Sequence, residues 1–307
     1  MRAFTLESFD AQPSLRDDFP EPEVSETDVL VRVRASSVNP VDVVVASGGL
    51  RQYADYEFPV TLGRDFSGVV ERAGAGVTRF GPGDEVFGFV LHANPAVREG
   101  SWTDLIAVPQ DSQVAAKPGS VDFAQAGAAP LTALSAIAAF DALGIGNGTT
   151  VLVLGAAGGV GSAFVQLAAS SGGHVVAPAL PEDEEFLRGL GVAEVLDRSG
   201  DVGASVRASH PDGVDAILDL VSQVPDTSLL KEEGRLASTL GAAGEGEGRC
   251  NVMAQPTPAN LARLATLLDD GTLRIRIQRS YDLEQAGEAL QALPATHTQG
   301  KLGLTIS

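Results

Sequence analysis

Residues 151–169, VLVLGAAGGVGSAFVQLAA, constrain this chain more than any other stretch. Four apolar residues of strand character run into Gly155-Ala156-Ala157-Gly158-Gly159-Val160-Gly161, and a helical pattern opens at once over 160–170. Small residues at such a turn let backbone approach a pyrophosphate. The free N–H groups and the dipole of the helix N-terminus favour its charge. Read as G-x-G-x-x-G, the frame is Ala156-x-Gly158-x-x-Gly161, with alanine at the first glycine position. A glycine pattern alone is weak, but this one has the strand before it and the helix after it that a dinucleotide site requires. The predicted cofactor contacts here are Ala156, Ala157, Gly158, Gly159, Val160 and Gly161.

The flanking sequence extends this unit. A proline-bearing helix is predicted over 124–143. After the glycine turn come strands at 175–177, 194–196, 216–220, 235–239 and 251–254, with helices at 183–190 and 258–269. Strands alternating with helices mean βαβ units and a parallel sheet covered on both faces. The first 120 residues differ: short strand-like runs at 29–35, 68–72 and 85–90 are separated by turns such as Gly81-Pro82-Gly83-Asp84. Val29, Val31 and Val33 alternate with Arg32 and Arg34, which predicts strands with one wet face. The fold class is therefore α/β: a doubly wound parallel sheet beside an all-β domain with the character of a partly open barrel. The expected domains are 122–272 for nucleotide binding, and 1–121 with the returning tail 273–307 for the β-rich part.

Composition excludes several classes. A net charge of −19 disfavours nucleic-acid and anionic-membrane partners, whose phosphates would repel the chain. The single cysteine, Cys250, rules out an intrachain disulfide and any multi-cysteine metal site. The first residues lack a basic start followed by an apolar run, so a cytoplasmic setting is expected. NAD sites place Asp or Glu at the end of the second strand to hold the ribose 2′-OH. That end reads His174-Val-Val-Ala-Pro178-Ala-Leu180, without a carboxylate. A 2′-phosphate is thus permitted, with Arg198 as the candidate counter-charge and NADP(H) as the expected cofactor.

Several further motifs recur in one order along nearly the whole chain. They are Ser37-Val38-Asn39-Pro40-Val41-Asp42, Leu62-Gly63-Arg64-Asp65-Phe66-Ser67-Gly68-Val69-Val70, Gly81-Pro82-Gly83-Asp84-Glu85-Val86, Ala129-Pro130-Leu131-Thr132-Ala133 and Gly300-Lys301-Leu302. With the glycine turn they resemble the medium-chain dehydrogenase/reductase superfamily, in its zinc-independent quinone oxidoreductase (zeta-crystallin-like) branch. The resemblance implies a GroES-like catalytic domain, a six-stranded Rossmann domain and an interdomain cleft for NADP(H). It also implies a homodimer formed through the last Rossmann strand, near 249–254.

In zinc-dependent relatives a cysteine stands at the position of Asn39, and a His–Glu pair at Arg64–Asp65. The lobe for structural zinc is replaced by 91–102, which holds no cysteine. His92, His174, His210 and His297 are scattered along the chain without ligand spacing, so no metal site is predicted. Arg64–Asp65 is then expected to be a structural turn beside the cleft. A substrate carbonyl must instead be polarised by hydrogen-bond donors.

The expected catalytic residues are Asn39 and Asp42, which match cleft positions of the family, and Tyr53 and Tyr56 as proton donors. The tyrosine that relatives often place near Val43 is missing. By resemblance, Thr132, Leu220, Val221 and Leu240 contact the nicotinamide half, Lys301 either reaches the cofactor or substrate cleft or anchors the tail, and Trp102 either walls the cleft or caps a core. The expected function is NADPH-dependent hydride transfer to a quinone or an α,β-unsaturated carbonyl. Two alternatives stand beside it: an enoyl reductase tailoring a polyketide-like metabolite, and a silent NADP(H)-binding sensor.

Overall fold

Short strands dominate the first third of the chain, as the turn spacing predicts. The computed structural model describes residues 1–52, 55–91 and 100–307. Its first elements are β1 (Ala3–Leu6), β2 (Ser14–Arg16), β3 (Asp28–Val38), α1 (Pro40–Ala46), β4 (Val60–Thr61), β5 (Asp65–Ala73), β6 (Glu85–Phe89), β7 (Leu105–Pro109) and β8 (Val114–Ala116). There follow α2 (Phe123–Ala128), α3 (Pro130–Leu143), β9 (Thr150–Leu154), α4 (Gly159–Ser170), β10 (His174–Ala179), α5 (Glu184–Gly189), β11 (Glu194–Asp197) and α6 (Val202–Ser209). The chain closes with β12 (Val214–Asp219), β13 (Leu230–Ser238), β14 (Arg249–Asn251), α7 (Pro258–Asp269), β15 (Ile277–Asp282), α8 (Ala286–Ala295) and β16 (Lys301–Thr305).

Two units result. The first comprises Met1–Leu131, Pro256–Gly271 and Ile275–Ser307, and the second Thr132–Gln255 and Thr272–Arg274. The boundaries differ from the expected 121/122 and 272/273 because α2 packs on β3 and β5, and α7 on β8. The helix expected over 124–143 is two helices. Pro130 has no N–H and its ring would clash inside a helix, so it opens α3 instead.

In the first unit β3 is the hub. It pairs antiparallel with β5 along one edge, and along the other with β7 at Asp28–Arg32 and with β16 at Ala35–Val38. The sheet runs β15-β16-β3-β5-β6-β8, with a separate three-stranded sheet β2-β1-β4. Alternation holds from Val31 to Arg34 and then stops: Ala35, Ser36, Ser37 and Val38 are all buried. The strand thus carries two serines and then Asn39 into the interior. Trp102 is fully buried there and donates from Nε1 to Ser37 O at 3.2 Å. Its ring lies against Gly63, at φ +90°, where an added Cβ would meet Trp102 Cδ1 at 2.1 Å. Of the two roles expected for Trp102, it caps the core.

The second unit is a six-stranded parallel sheet in the order β11-β10-β9-β12-β13-β14. In strand sequence this is 3-2-1-4-5-6, the doubly wound order that opens a crevice at the strand C-termini where the order reverses. Leu152, Val176, Ile217 and Leu236, from four adjacent strands, share one core cluster. The last strand of this sheet, β14, begins two residues before and ends three residues before the predicted 251–254.

Candidate functional site

The glycine turn has the geometry its sequence requires. β9 ends at Leu154, Gly155 takes φ +87°, and Gly158 is the N-cap of α4. A Cβ on Gly161 would sit 2.2 Å from Gly155 O and 2.7 Å from Ala156 Cα, so the helix can press against the turn only with glycine here. This close approach is the role the third glycine plays in a dinucleotide fingerprint, and the residues present fit a nicotinamide dinucleotide.

Of the other predicted cofactor residues of the second unit, Arg198, Leu220, Val221 and Leu240 follow the C-terminal ends of its strands. Leu154, Asp219 and Ser238 are in register at the strand C-termini. Buried Asp219 accepts from Val221 N at 3.0 Å and Ser222 N at 2.8 Å, which fixes the loop carrying Leu220 and Val221. Ser238 Oγ accepts from Leu240 N at 3.1 Å. Val221 and Leu240 are exposed by 58% and 42%, presenting apolar surface at the rim. Arg198 follows β11, with its N–H on Ala179 O at 3.0 Å, and its side chain is exposed. Thr132 is buried on the first turn of α3.

A different construction occupies the first unit. Asp65, fully buried, accepts four hydrogen bonds or charges. Its Oδ2 takes Ser37 Oγ at 2.6 Å and Asn39 Nδ2 at 2.8 Å, and lies 3.8 Å from Lys301 Nζ; its Oδ1 takes Leu131 N at 2.7 Å. Lys301, only 4% exposed, donates to Val38 O at 3.0 Å and to Asn39 Oδ1. Asn39 is the N-cap of α1, and its N–H donates to Asp42 Oδ2 at 2.7 Å. Buried Asp42 has a second oxygen, Oδ1, without a hydrogen-bond partner among the described residues.

Charge and burial set the protonation here. Burial pushes the Asp42 carboxyl up to about 7, opposed by the nearby charges of Arg64 and Lys301 and assisted by Asp65. Burial lowers the Lys301 ammonium, and Asp65 and Asp42 oppose that shift. Arg64 is buried and donates from a guanidinium N–H to Leu91 O at 3.2 Å. Tyr56 packs edge-on to Phe9 at 4.8 Å, and its buried hydroxyl has no partner among the described residues. Burial raises its pKa, against the charge of Arg64.

Two expectations change. Arg64–Asp65 is not a turn: Asp65 is the first residue of β5, and its carboxylate ties β3, α1, α3 and β16 together. Of the two roles expected for Lys301, the anchoring one is visible: its ammonium, on β16, donates to Val38 O and Asn39 Oδ1. His174 and His210 are not scattered: in the second unit both converge on Glu194. Tyr53 and His92 lie outside the described residues.

The comparisons with known proteins agree with this architecture. Residues 25–119 match the alcohol dehydrogenase GroES-like domain, and 190–302 the family described as zinc-binding dehydrogenase. The mitochondrial NAD(P)H oxidoreductase RTN4IP1 of Mus musculus is 30% identical over 325 residues, covering 89% of this chain and 80% of that protein. This chain belongs to the medium-chain dehydrogenase/reductase superfamily, in its quinone-oxidoreductase-like branch. The bovine and human counterparts, each 37% identical, are matched over 54% and 53% of their length, so the chain spans about half of those relatives. The spectinabilin polyketide synthase system protein NorB of Streptomyces orinoci is 34% identical over 300 residues, covering 91% of this chain and 13% of that protein. The solved quinone oxidoreductase of Coxiella burnetii superposes with a TM-score of 0.88 at 28% identity, over 100% of this chain and 99% of that one.

Within this member of the superfamily, sequence patterns gave little weight to Asp65 and Asp219. Asp219 had a signal: a carboxylate closing an apolar strand, followed by a short loop, is well placed to accept the loop's N–H groups. Asp65 had no local signal, because its partners come from residues 37, 39, 131 and 301.

Proposed function

We propose that this protein is an NADPH-dependent reductase that adds hydride to a quinone carbon or to the β-carbon of an α,β-unsaturated carbonyl. The observation that carries this reading is the 155–161 turn, whose Gly161 leaves no room for a side chain at the strand C-termini. The oxidoreductase names of the mouse and Coxiella relatives support it. When bound, the reduced nicotinamide supplies the hydride. Arg198 gives the edge of the nucleotide unit a positive charge for a 2′-phosphate, and no carboxylate of β10 opposes it.

The donor set of the first unit supports a zinc-free reaction. Asn39, Arg64 and Asp65 stand where the zinc-dependent pattern has cysteine, histidine and glutamate, and the buried cations of Arg64 and Lys301 would repel a metal ion. In our reading Lys301 and Ser37 hold Asn39 and Asp65 rigid, so that a bound carbonyl meets fixed dipoles rather than mobile water. Asp42 Oδ1 and Tyr56 Oη are buried oxygens without partners among the described residues. We assign them to proton delivery, with Asp42 poised near neutral pH for that transfer.

NorB favours a second reading of the same hydride step, with an enoyl thioester as acceptor. The deciding experiment follows NADPH oxidation with quinones, alkenals and enones, and enoyl thioesters, with and without a chelator. Turnover of quinones or enones, insensitive to chelation, supports the first reading. Turnover confined to thioesters selects the second. NADPH binding without oxidation of any acceptor would overturn both and favour a sensor. A homodimer through the edge strand β14 belongs to the same proposal, and sedimentation as a monomer would remove it. Among the described residues no helix is long and apolar enough to cross a membrane.

A further inference from the structure

The second unit holds a cluster at the sheet edge opposite the glycine turn. His174 opens β10 and Glu194 opens β11, two parallel strands paired with Val176 opposite Glu194. His210 caps the C-terminus of α6, whose last turn returns the chain to the same edge. His174 Nε2 lies 2.5 Å from Glu194 Oε1, and His210 Nε2 lies 3.3 Å from both oxygens of that carboxylate. One ligand atom from each of the three residues falls within 4.8 Å of the others. The rings are 6.1 Å apart and inclined by 64°, so two imidazoles approach one carboxylate from different directions.

We propose that His174, Glu194 and His210 form a binding site for a divalent transition-metal ion of the zinc class, separate from the hydride-transfer chemistry. Two imidazole nitrogens and one carboxylate oxygen are a donor set that zinc accepts with one position left for water. Nitrogen donors select zinc, cobalt, nickel or copper over magnesium and calcium, which prefer oxygen. Ligand atoms about 2.0–2.1 Å from a tetrahedral ion stand roughly 3.3 Å from one another. The His210–Glu194 spacing already has this value, and the His174–Glu194 contact needs only a small opening. Side-chain exposures of 42%, 31% and 17% for His174, Glu194 and His210 allow both that adjustment and entry from solvent.

Without metal, the imidazoles donate to the carboxylate. Burial raises the Glu194 pKa, but the hydrogen bonds and charges of the two histidines outweigh it, and the net shift is downward. An ion here would cross-link β10, β11 and α6, elements joined otherwise by sheet pairing and apolar packing. Its function would be stabilisation or metal sensing, since the strands place it at their N-terminal ends and the cofactor turn at their C-terminal ends.

The test titrates the full-length, chelator-treated protein with Co²⁺ and Zn²⁺. One equivalent of Co²⁺ should bind with a visible d–d spectrum of four- or five-coordinate nitrogen–oxygen ligation, and Zn²⁺ should displace it and raise Tm by several degrees. His174→Ala and His210→Ala should each weaken binding at least tenfold, while His297→Ala and Cys250→Ser leave it unchanged. Circular dichroism reports whether each variant is folded. If either histidine variant is not, paramagnetic shifts of the His174 and His210 ring signals on adding Co²⁺ to the wild type decide the matter. Absence of binding up to millimolar metal, undiminished binding in folded histidine variants, or rings unshifted by Co²⁺ would overturn the proposal. Each of these readouts is independent of NADPH oxidation.

Discussion

The turn at 155–161 draws on seven consecutive residues, whereas the network of Asn39, Asp42, Asp65 and Lys301 spans 262 positions between Asn39 and Lys301. The first works by what is absent: without a Cβ at Gly161, helix and strand meet closely and backbone N–H groups are left for a ligand. The second works by what is present: the buried Asp65 carboxylate is held by Ser37, Asn39, Leu131 and the Lys301 ammonium, partners drawn from three distant parts of the sequence. A local device should fail locally when altered, with binding lost before the fold. A distributed device should take the fold with it.

The largest effect expected from this contrast is that of Asp65→Ala. It leaves the Lys301 ammonium buried without its nearest carboxylate and removes the acceptor for Ser37, Asn39 and Leu131. Urea unfolding should show a loss of about 3–5 kcal/mol, the usual cost of breaking a buried ion pair on one side. A loss below 1 kcal/mol would mean that water enters and the network is not structural.

Gly161→Ala tests the other side. Its Cβ meets backbone rather than a flexible side chain, so strain of about 1–3 kcal/mol is expected. NADPH affinity, read by fluorescence titration, should fall at least tenfold while the first unit's near-ultraviolet signal persists. Equal loss of both signals would erase the distinction between the two regions.

Asp42 sharpens the comparison through pH. Its carboxyl titrates at about 7 in the folded protein and at its ordinary 3.8 when exposed. Between those values the folded state keeps a proton that the unfolded chain has released, so this group's stabilising contribution is complete at low pH and is lost as the pH rises through 7. Asp42→Asn imitates the protonated form and still accepts from Asn39 N–H. The variant should therefore melt several degrees above wild type near pH 8, with the gap closing towards pH 4. Its kcat should fall if Asp42 supplies the proton.

Two smaller effects complete the series. Arg198→Ala should reduce the preference for NADPH over NADH by roughly tenfold, about one charge-assisted hydrogen bond. A preference unchanged in the variant would move the 2′-phosphate elsewhere. Tyr56→Phe removes a buried hydroxyl that has no partner among the described residues, so stability should stay within about 1 kcal/mol of wild type or improve. If turnover is also unchanged, proton delivery does not run through Tyr56.

What could be read in advance follows the same divide. Periodicity exposed the β-rich first part, the parallel sheet and the glycine turn, because these depend on neighbours a few residues apart. Pro130 was visible in the sequence and ends one helix and starts another, but that the first of the two packs against β3 and β5 was not. Arg64–Asp65 was misread as a turn, since two charged residues between glycines carry no trace of the distant partners that let them be buried.

By itself, then, the sequence determined a dinucleotide-type βα turn, two units of different texture and the absence of a cysteine-based metal centre. Only the tertiary structure decided that Asp65, Asn39 and Lys301 form one buried charge cluster, and that His174, Glu194 and His210 meet. The reason is physical. Backbone geometry is imposed by adjacent residues, while the cost of burying a charge is met by whichever partner the fold brings within a few ångströms, wherever that partner lies along the chain.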